Sequence, residues 1–400
     1  MKSQPDWRTE KLGDIARFKT GKLDSNAAVL DGKYPFFTCS QETLRTNTFS
    51  FDTECVLLAG NNAAGIFPLK YFDGKFDAYQ RTYIITPLKK DILHIRFLYY
   101  SLRLKLSEFR SISTGAATKF LTLGILNEAQ IRIPSLKIQR RIASILGAYD
   151  DLIEVNRRRI AVLEEMARGL FEEWFVRFRF PGHEVLPIED TPDGSLPTGW
   201  SWGTASDLLL FDPRTRVPRE GEKPFIPMGH LDTSTSLIAE PETRDGNSGS
   251  KFQNGDTLFA RITPCLENGK TGLVRNLPGP DGVGFGSTEF IVMRGGRAGP
   301  AFTYCLSRLP AFRDHARMSM SGASGRQRAR TDSVADFVIA IPPMNNLFDL
   351  FEKAAWPMLE LVGQIGSSNE RLAASRDLLL PRLISGQLSV AQAERELEAA

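Results

Sequence analysis

The sequence predicts an α+β fold in which two pseudo-repeated mixed α/β domains are separated by two long antiparallel helices of coiled-coil type. Two observations carry that expectation: an ordered set of motifs recurs after about 200 residues, and each copy is followed by an apolar seam at heptad spacing. A chain of 400 residues, 42% hydrophobic and 24% charged, is long enough for two or three buried cores and has the balance of a globular protein rather than a disordered one. The motif order places a first domain at 1–135, a central helix at 136–180, a second domain at 181–343, and a C-terminal helix with its tail at 344–400.

Each copy opens on a tryptophan seven residues ahead of an aspartate, Trp7 to Asp14 and Trp200 to Asp207. An aromatic-proline strand signal follows, Tyr34-Pro35-Phe36-Phe37 and Lys223-Pro224-Phe225-Ile226. Next come the β-like runs Cys55-Val56-Leu57-Leu58-Ala59 and Asp256-Thr257-Leu258-Phe259-Ala260, each with a glycine-bearing loop behind it. A further strand (Thr82-Tyr83-Ile84-Ile85, Glu289-Phe290-Ile291-Val292) leads to a helical stretch with tyrosine, Phe97-Leu98-Tyr99-Tyr100 and Phe302-Thr303-Tyr304-Cys305. Both copies close on a small-residue loop with basic groups, Ser113-Thr114-Gly115-Ala116-Ala117-Thr118-Lys119 and Ser321-Gly322-Ala323-Ser324-Gly325-Arg326. A strand then stops at a proline, at Ile133-Pro134 and Ile341-Pro342. The copies match poorly over 240–255, where the second is longer and rich in Gly and Ser.

The first helix repeats apolar positions with four-three alternation: Ile142, Leu146, Tyr149, Ile153, Asn156, Ile160, Leu163, Ala167, Leu170 and Trp174. Unbroken, it would be about 50 Å long, and such a seam needs a partner helix in water. The second copy supplies one through Leu347, Phe351, Ala354, Met358, Leu361, Ile365, Ser368, Leu372, Ser375 and Leu379. Gly363 and Gly366 weaken that helix by about 1 kcal/mol each relative to alanine, and Pro357 is expected to kink it. Asn156 and the serines put polar groups in the seam, which fixes register. Antiparallel pairing would leave the two domains at opposite ends of a rod, related by an approximate two-fold axis. Paired readers at fixed separation suit an interrupted DNA target, because a duplex presents the same groove face about every 34 Å.

Charge is a weak guide to such a partner. The net charge of +3 divides into +6 over 1–135, +2 over 136–180, −2 over 181–343 and −3 over 344–400, so any basic patch must be local. The four cysteines, Cys39, Cys55, Cys265 and Cys305, are far apart and read as buried reduced thiols of a cytoplasmic protein, with no metal site. No apolar run reaches the roughly 20 residues that span a bilayer, and the N-terminus lacks the apolar core of a secretion signal. Signatures of chemistry are missing or incomplete. Ile341-Pro342-Pro343-Met344 lacks the polar acceptor and the aromatic of an adenine methyltransferase motif, and Gly282-Val283-Gly284-Phe285-Gly286 reads as a flexible turn rather than a cofactor loop. Pro5-Asp6 with Asp31-Gly32-Lys33, or Asp73-Gly74-Lys75, has the groups of a metal-dependent nuclease, but Asp-Gly between strands signals a tight turn. His94, His183, His230 and His315 form no paired motif, and no Gly-Lys-Ser/Thr phosphate loop exists.

The order domain, helix, domain, helix resembles the specificity subunits of type I restriction–modification systems. So do Leu170-Phe171-Glu172-Glu173-Trp174-Phe175-Val176, Leu379-Leu380-Pro381-Arg382-Leu383-Ile384-Ser385-Gly386, and the entries Ile133-Pro134 and Ile341-Pro342-Pro343 before the helices. The resemblance covers essentially the whole chain, with Pro357 and the 240–255 segment as departures. It implies two target-recognition domains reading a bipartite double-stranded DNA sequence, and spacer helices that dock two methylation subunits. It also implies a subunit without catalysis or cofactor of its own. S-adenosylmethionine, ATP and Mg²⁺ would sit on the methylation subunits and on restriction/translocase subunits. The other classes kept open are a self-contained restriction nuclease or methyltransferase, and a coiled-coil adaptor without DNA affinity.

Candidate DNA contacts lie beside glycines and turns. Among Arg313, Arg317, Arg326, Arg328 and Arg330, the last three sit in a Ser/Gly/Ala loop able to follow a groove, and arginine binds phosphate or pairs twice with guanine. Lys119 is the counterpart in the first copy, with Lys19, Lys22, Arg261 and Lys270 as further candidates; Asn61 and Asn62 suit adenine or a turn equally. Trp174, Phe175 and Phe178 form an apolar helix end that either caps the seam or receives a methylation subunit.

Overall fold

In the first copy the short apolar runs become the inner strands of two sheets, and the amphipathic stretch becomes the helix that covers them. The structure, a computed structural model, describes residues 7–398 apart from 64, 116–117, 193, 324 and 344–345. Pro5, Asp6, Ala116, Ala117, Ser324 and Met344 of the sequence motifs thus lie outside the described residues. The chain divides into two units, one of 1–153 with 371–400 and one of 154–370, and the division passes through both long helices.

The first unit runs β1 (Arg8–Lys11), β2 (Ala16–Thr20), β3 (Tyr34–Phe37), β4 (Leu44–Thr46), β5 (Phe51–Asp52), β6 (Cys55–Ala59), β7 (Leu69–Phe72), β8 (Lys75–Ala78), β9 (Thr82–Pro87), α1 (Ile95–Ile112) and β10 (Gln130–Ile133). One sheet has the order β2-β9-β6-β7, the other β4-β3-β8-β5 with β3 and β8 parallel, and β1 pairs with β10. β6 is buried at every position, as a strand covered on both faces must be. Helix α1 buries Phe97, Leu98, Tyr100 and Leu102 against this sheet's core.

The second unit repeats the sheet plan and adds a hairpin ahead of it, Ile188–Thr191 with Gly194–Pro197. It runs β11 (Ser201–Thr204), β12 (Leu209–Phe211), β13 (Lys223–Ile226), β14 (Glu242–Arg244), β15 (Ser250–Gln253), β16 (Thr257–Ala260), β17 (Thr271–Leu273), β18 (Val283–Gly286), β19 (Phe290–Gly295), α2 (Pro300–Arg308), α3 (Pro310–Met318) and β20 (Val338–Ile341). The sheets are β12-β19-β16-β17 and β14-β13-β18-β15, with β13 and β18 parallel and β11 paired to β20. The glycine run 282–286, expected as a flexible turn, is mostly strand β18. A Cβ on Gly286 would collide with the Ile226 carbonyl and one on Gly284 would stand 3.0 Å from that of Pro224, so these glycines admit close strand approach. Asp31-Gly32-Lys33 lies in the loop before β3, closed by Gly32 N–H to Val29 C=O and by Arg45 on the carbonyls of Gly32 and Lys33. Asp73-Gly74-Lys75 turns between β7 and β8 with Gly74 at φ 132°. All four cysteines are free thiols; Cys55 and Cys305 are buried, whereas Cys39 and Cys265 are only half-buried. Among the described residues no helix is long and apolar enough to cross a membrane.

The long helices span Leu136–Phe171 (αN) and Asn346–Ile384 (αC), the latter uninterrupted at Pro357 and followed by a short helix, Val390–Glu398. Within the second unit they run antiparallel: Asn156 pairs with Asn369 (2.9 Å), and Phe171 lies on Phe351. Within the first, Asp150 accepts from Arg376, and Ile142 and Leu146 share a core with Leu380 and Leu383. On αN, Ile142, Leu146, Ile153, Asn156, Ile160 and Ala167 are buried, and Tyr149, Leu163 and Leu170 half-buried; Trp174 lies just beyond, in a π turn.

The second seam needs correction. Leu347 and Phe351 are buried, and Ala354, Met358, Ile365, Ser368, Leu372 and Leu379 are half-buried, but Leu361 is 43% exposed and Ser375 is exposed. Past Phe351 the buried line lies one residue further on, through Ala355, Leu359, Val362, Gly366, Arg376, Leu380 and Leu383. The cause is close approach: a Cβ on Gly366 would stand 2.7 Å from Leu237 Cδ2 and one on Gly363 3.1 Å from Arg275 Cδ. Small residues face the domain, and the larger Leu361 is left outside.

The Asn156–Asn369 pair gives a test of the seam. Asn156→Leu strands a partly buried amide and is expected to lower unfolding free energy by roughly 1–3 kcal/mol, whereas Asn156→Leu with Asn369→Leu recovers most of it. Chemical denaturation of the purified chain measures both; a double variant as unstable as the single one rules out the pairing.

Candidate nucleic-acid interface

In the second unit, the segment after β12 turns sharply and then alternates exposed and buried residues, the pattern of an extended chain. Asp212 adopts a left-handed conformation (φ 46°), held by its carboxylate accepting from Val292 N–H (2.9 Å) and Thr331 Oγ1 (2.9 Å). Over 213–218 exposure alternates: Arg214 and Arg216 are exposed, Thr215 and Val217 buried, and Pro213 and Pro218 bracket them. Arg294 donates to Thr215 Oγ1 (2.8 Å) while gripping the buried Asp256 through two bonds of 2.6 and 2.7 Å. With Lys251 of β15 and Arg261 beyond β16, this segment lines a cleft of about 810 Å³. Arg214, Arg216, Arg219, Lys251 and Arg261 face it, against Asp212 as the one carboxylate among its described lining residues. None of those five cations has an ion-pair partner among the described residues. An anionic backbone is the chemistry such a cleft suits.

The sequence candidates fall into two equivalent assemblies and several strays. In the first unit, Asn61 and Asn62 pair with Phe120 and Lys119, and Thr114 bridges to Phe120, so the glycine loop and the 113–119 loop are sewn together. Among the described residues Asn61 Oδ1 is buried without a hydrogen-bond partner, and Asn62 Oδ1 accepts from Ile66 N–H. Lys19 is exposed on the edge strand β2, and Lys22 is exposed beyond Gly21, whose Cβ would collide with the Ala78 carbonyl. In the second unit the same closure uses Ile262 and Ser321 bridged to Arg328, with Ala329 N–H on the Arg261 carbonyl (2.8 Å). Arg326 is exposed there.

Other candidates are already engaged within the protein. Arg328 is bound to Glu289 (2.6 and 2.9 Å), and that bond holds the Glu289 carboxyl below its ordinary pKa. Arg330 pairs with Asp332, and Arg317 with Asp314. Lys270 points inward, its Nζ donating to the Met228 carbonyl (2.9 Å). Arg313 leaves the expected arginine cluster altogether: it packs over Phe259 and donates to Thr271 Oγ1 and the Leu266 carbonyl, and burial pulls its guanidinium down to about 10. Trp174 and Phe175 are core, not a docking surface, because Phe175 stacks on Phe348 and meets Phe302 edge-on. Phe178 is half-buried against Trp200. Sequence reasoning missed Arg214, Arg216, Arg219 and Lys251, although the Pro-Arg-Thr-Arg-Val-Pro alternation was there to be read.

Comparison with known proteins agrees with this architecture. Residues 4–165 match the family model for a type I restriction modification DNA specificity domain. The type I restriction enzyme EcoDI specificity subunit of Escherichia coli is 30% identical over 285 residues, 65% of this chain and 63% of that protein, so the chain spans less than two thirds of this relative's length. The MjaIX specificity subunit of Methanocaldococcus jannaschii is 26% identical over 323 residues, 76% of this chain and 71% of the relative. A crystal structure of the type I restriction–modification S subunit from M. genitalium shares the fold, with a TM-score of 0.61 at 15% identity over 96% of this chain and 97% of that one. These likenesses show that the chain is similar to type I specificity subunits, with residues 4–165 matching the DNA specificity domain.

Proposed function

We propose that this chain is the non-catalytic specificity subunit of a type I restriction–modification complex, reading a bipartite sequence in double-stranded DNA. In this reading residues 1–135 and 181–343 are target-recognition domains, 136–180 is a spacer helix, and 344–400 is the second spacer with its tail. Two methylation subunits and the restriction/translocase subunits carry S-adenosylmethionine, ATP and Mg²⁺, and perform adenine methylation and cleavage where this chain directs them. The observation that carries the reading is the strand-for-strand repeat of one sheet plan, each copy built with its own half of the same two helices. One frame used twice, in antiparallel helical surroundings, fits two half-sites read in opposite senses.

On this reading the helices are a ruler. Deleting 152–158 together with 367–373 removes one facing heptad from each, between the αN anchors Asp151 and Glu164, and shortens a helix by about 10 Å. The unspecified gap in the methylated sequence is then expected to shrink by about three base pairs. Methylation mapping that returns the original gap refutes the ruler.

The cleft makes a separate prediction. Arg219→Ala with Lys251→Ala is expected to weaken binding of the assembled complex to target and non-target duplexes alike. The slope of log K against log salt should fall by roughly 0.9 for each phosphate that is no longer neutralised. Titrations at several salt concentrations read the slope, and an unchanged slope removes the cleft from the DNA path.

A further inference from the structure

We propose that the extended segment 213–218 is a base-reading strand, in which Arg214 and Arg216 recognise two guanines that lie two steps apart on one DNA strand. The inference rests on the DNA-reading function above and names part of its target. Geometry is the first argument. Side chains at i and i+2 of an extended chain leave the same face, separated by about 6.6–6.8 Å, which matches two base-pair rises of about 3.4 Å each. Arg214 and Arg216 are the exposed members of that alternation, while Thr215 and Val217 turn inward.

Preorganisation is the second. Contact with phosphate tolerates a mobile loop, but a two-bond match to guanine O6 and N7 demands a fixed approach. This segment is fixed at both ends and in the middle. Pro213 and Pro218 restrict the backbone, Asp212 is tied to β19 through Val292, and Thr215 is held by Arg294, which is locked on Asp256. Arg214 and Arg216 meanwhile have no carboxylate partner among the described residues, unlike Arg328 and Arg330 nearby. Their planar forks are therefore free to pair with guanine, while Arg219, Lys251 and Arg261 line the rest of the cleft for the backbone. In the first unit the chain leaves β2 through Gly21 and Lys22 and is bridged at Leu23 to Tyr79, just beyond β8 of the other sheet.

The test is single-molecule methylation mapping with complexes assembled from the full chain and its methylation partners. The wild-type motif should hold two guanines separated by one position in one half-site. Arg214→Ala and Arg216→Ala should each relax one of those positions, with about tenfold or greater loss of discrimination, leaving the other half-site and the gap unchanged. Arg214→Lys and Arg216→Lys should relax the same positions, because an ammonium lacks the planar fork, although it would still serve a phosphate. A motif without such a guanine pair, or variants that depress methylation at all sites equally with the motif intact, overturns the base-reading strand while leaving the specificity role standing. A wild-type complex that methylates without any sequence preference overturns that role, and this inference with it.

Discussion

Glu164 is 1% exposed on αN, and Tyr304 Oη (2.7 Å) and Ser236 N–H (2.6 Å) both donate to its carboxylate. Tyr304 Oη in turn accepts from Arg308 Nε (3.0 Å), whose guanidinium donates to the carbonyls of Thr233, Gly269 and Thr271. Arg275, drawn down to about 10 by burial, reaches the same cluster through Ser236 Oγ. An apolar face would slide and rotate over the helix at little penalty. A buried carboxylate with two donors at fixed angles allows a single seating, because losing one partner of a buried charge costs about 3–5 kcal/mol. The sheets of the second unit, and the cleft they carry, are oriented by this clamp.

The first unit uses the same device with different residues. Tyr100 Oη donates to Asp150 on αN (2.6 Å), Arg376 of αC also reaches Asp150, and Arg103 of α1 holds Asp377 (3.0 Å). Arg96 adds a two-bond grip on Asp151. In both units a tyrosine on the covering helix meets an acid on αN. The acids stand 14 positions apart, two heptads, so both fall on equivalent turns of the seam pattern. Asp150 is half-buried and takes a cationic partner from αC, whereas the buried Glu164 takes a tyrosine hydroxyl and a backbone amide.

Much of this frame was legible because strands and helices are written in runs. The motifs at 55–59 and 256–260 are corresponding central strands, the matched prolines end corresponding strands, and the αN seam is buried or half-buried wherever alternation placed it. What escaped was written in single residues. Gly363 and Gly366 looked like weaknesses of αC, yet close contact with Arg275 and Leu237 displaced the buried line by one position. Arg376 and Asn369 sit where an apolar pattern skips them. The arginines around 313–330 were grouped by nearness in sequence, whereas burial takes Arg313 and local acids take Arg317, Arg328 and Arg330. The net −2 of residues 181–343 concealed a cleft whose cations come from three separate segments.

Where the two units differ says how such a frame can be diversified. Their sheets agree in strand order, in the single parallel pair and in the strand that closes against the first. The connections do not agree: the first is bridged at Leu23 to Tyr79, while the second turns on a left-handed Asp212 and carries Pro213 and Pro218. Each such loop is braced by groups that belong to the frame, as Arg294 on β19 and Asp256 before β16 brace Thr215. A loop anchored in this way can exchange its exposed residues without disturbing the core, because the buried positions 215 and 217 bear the packing while 214 and 216 bear none. Divergence in surface chemistry is thus uncoupled from packing in this loop.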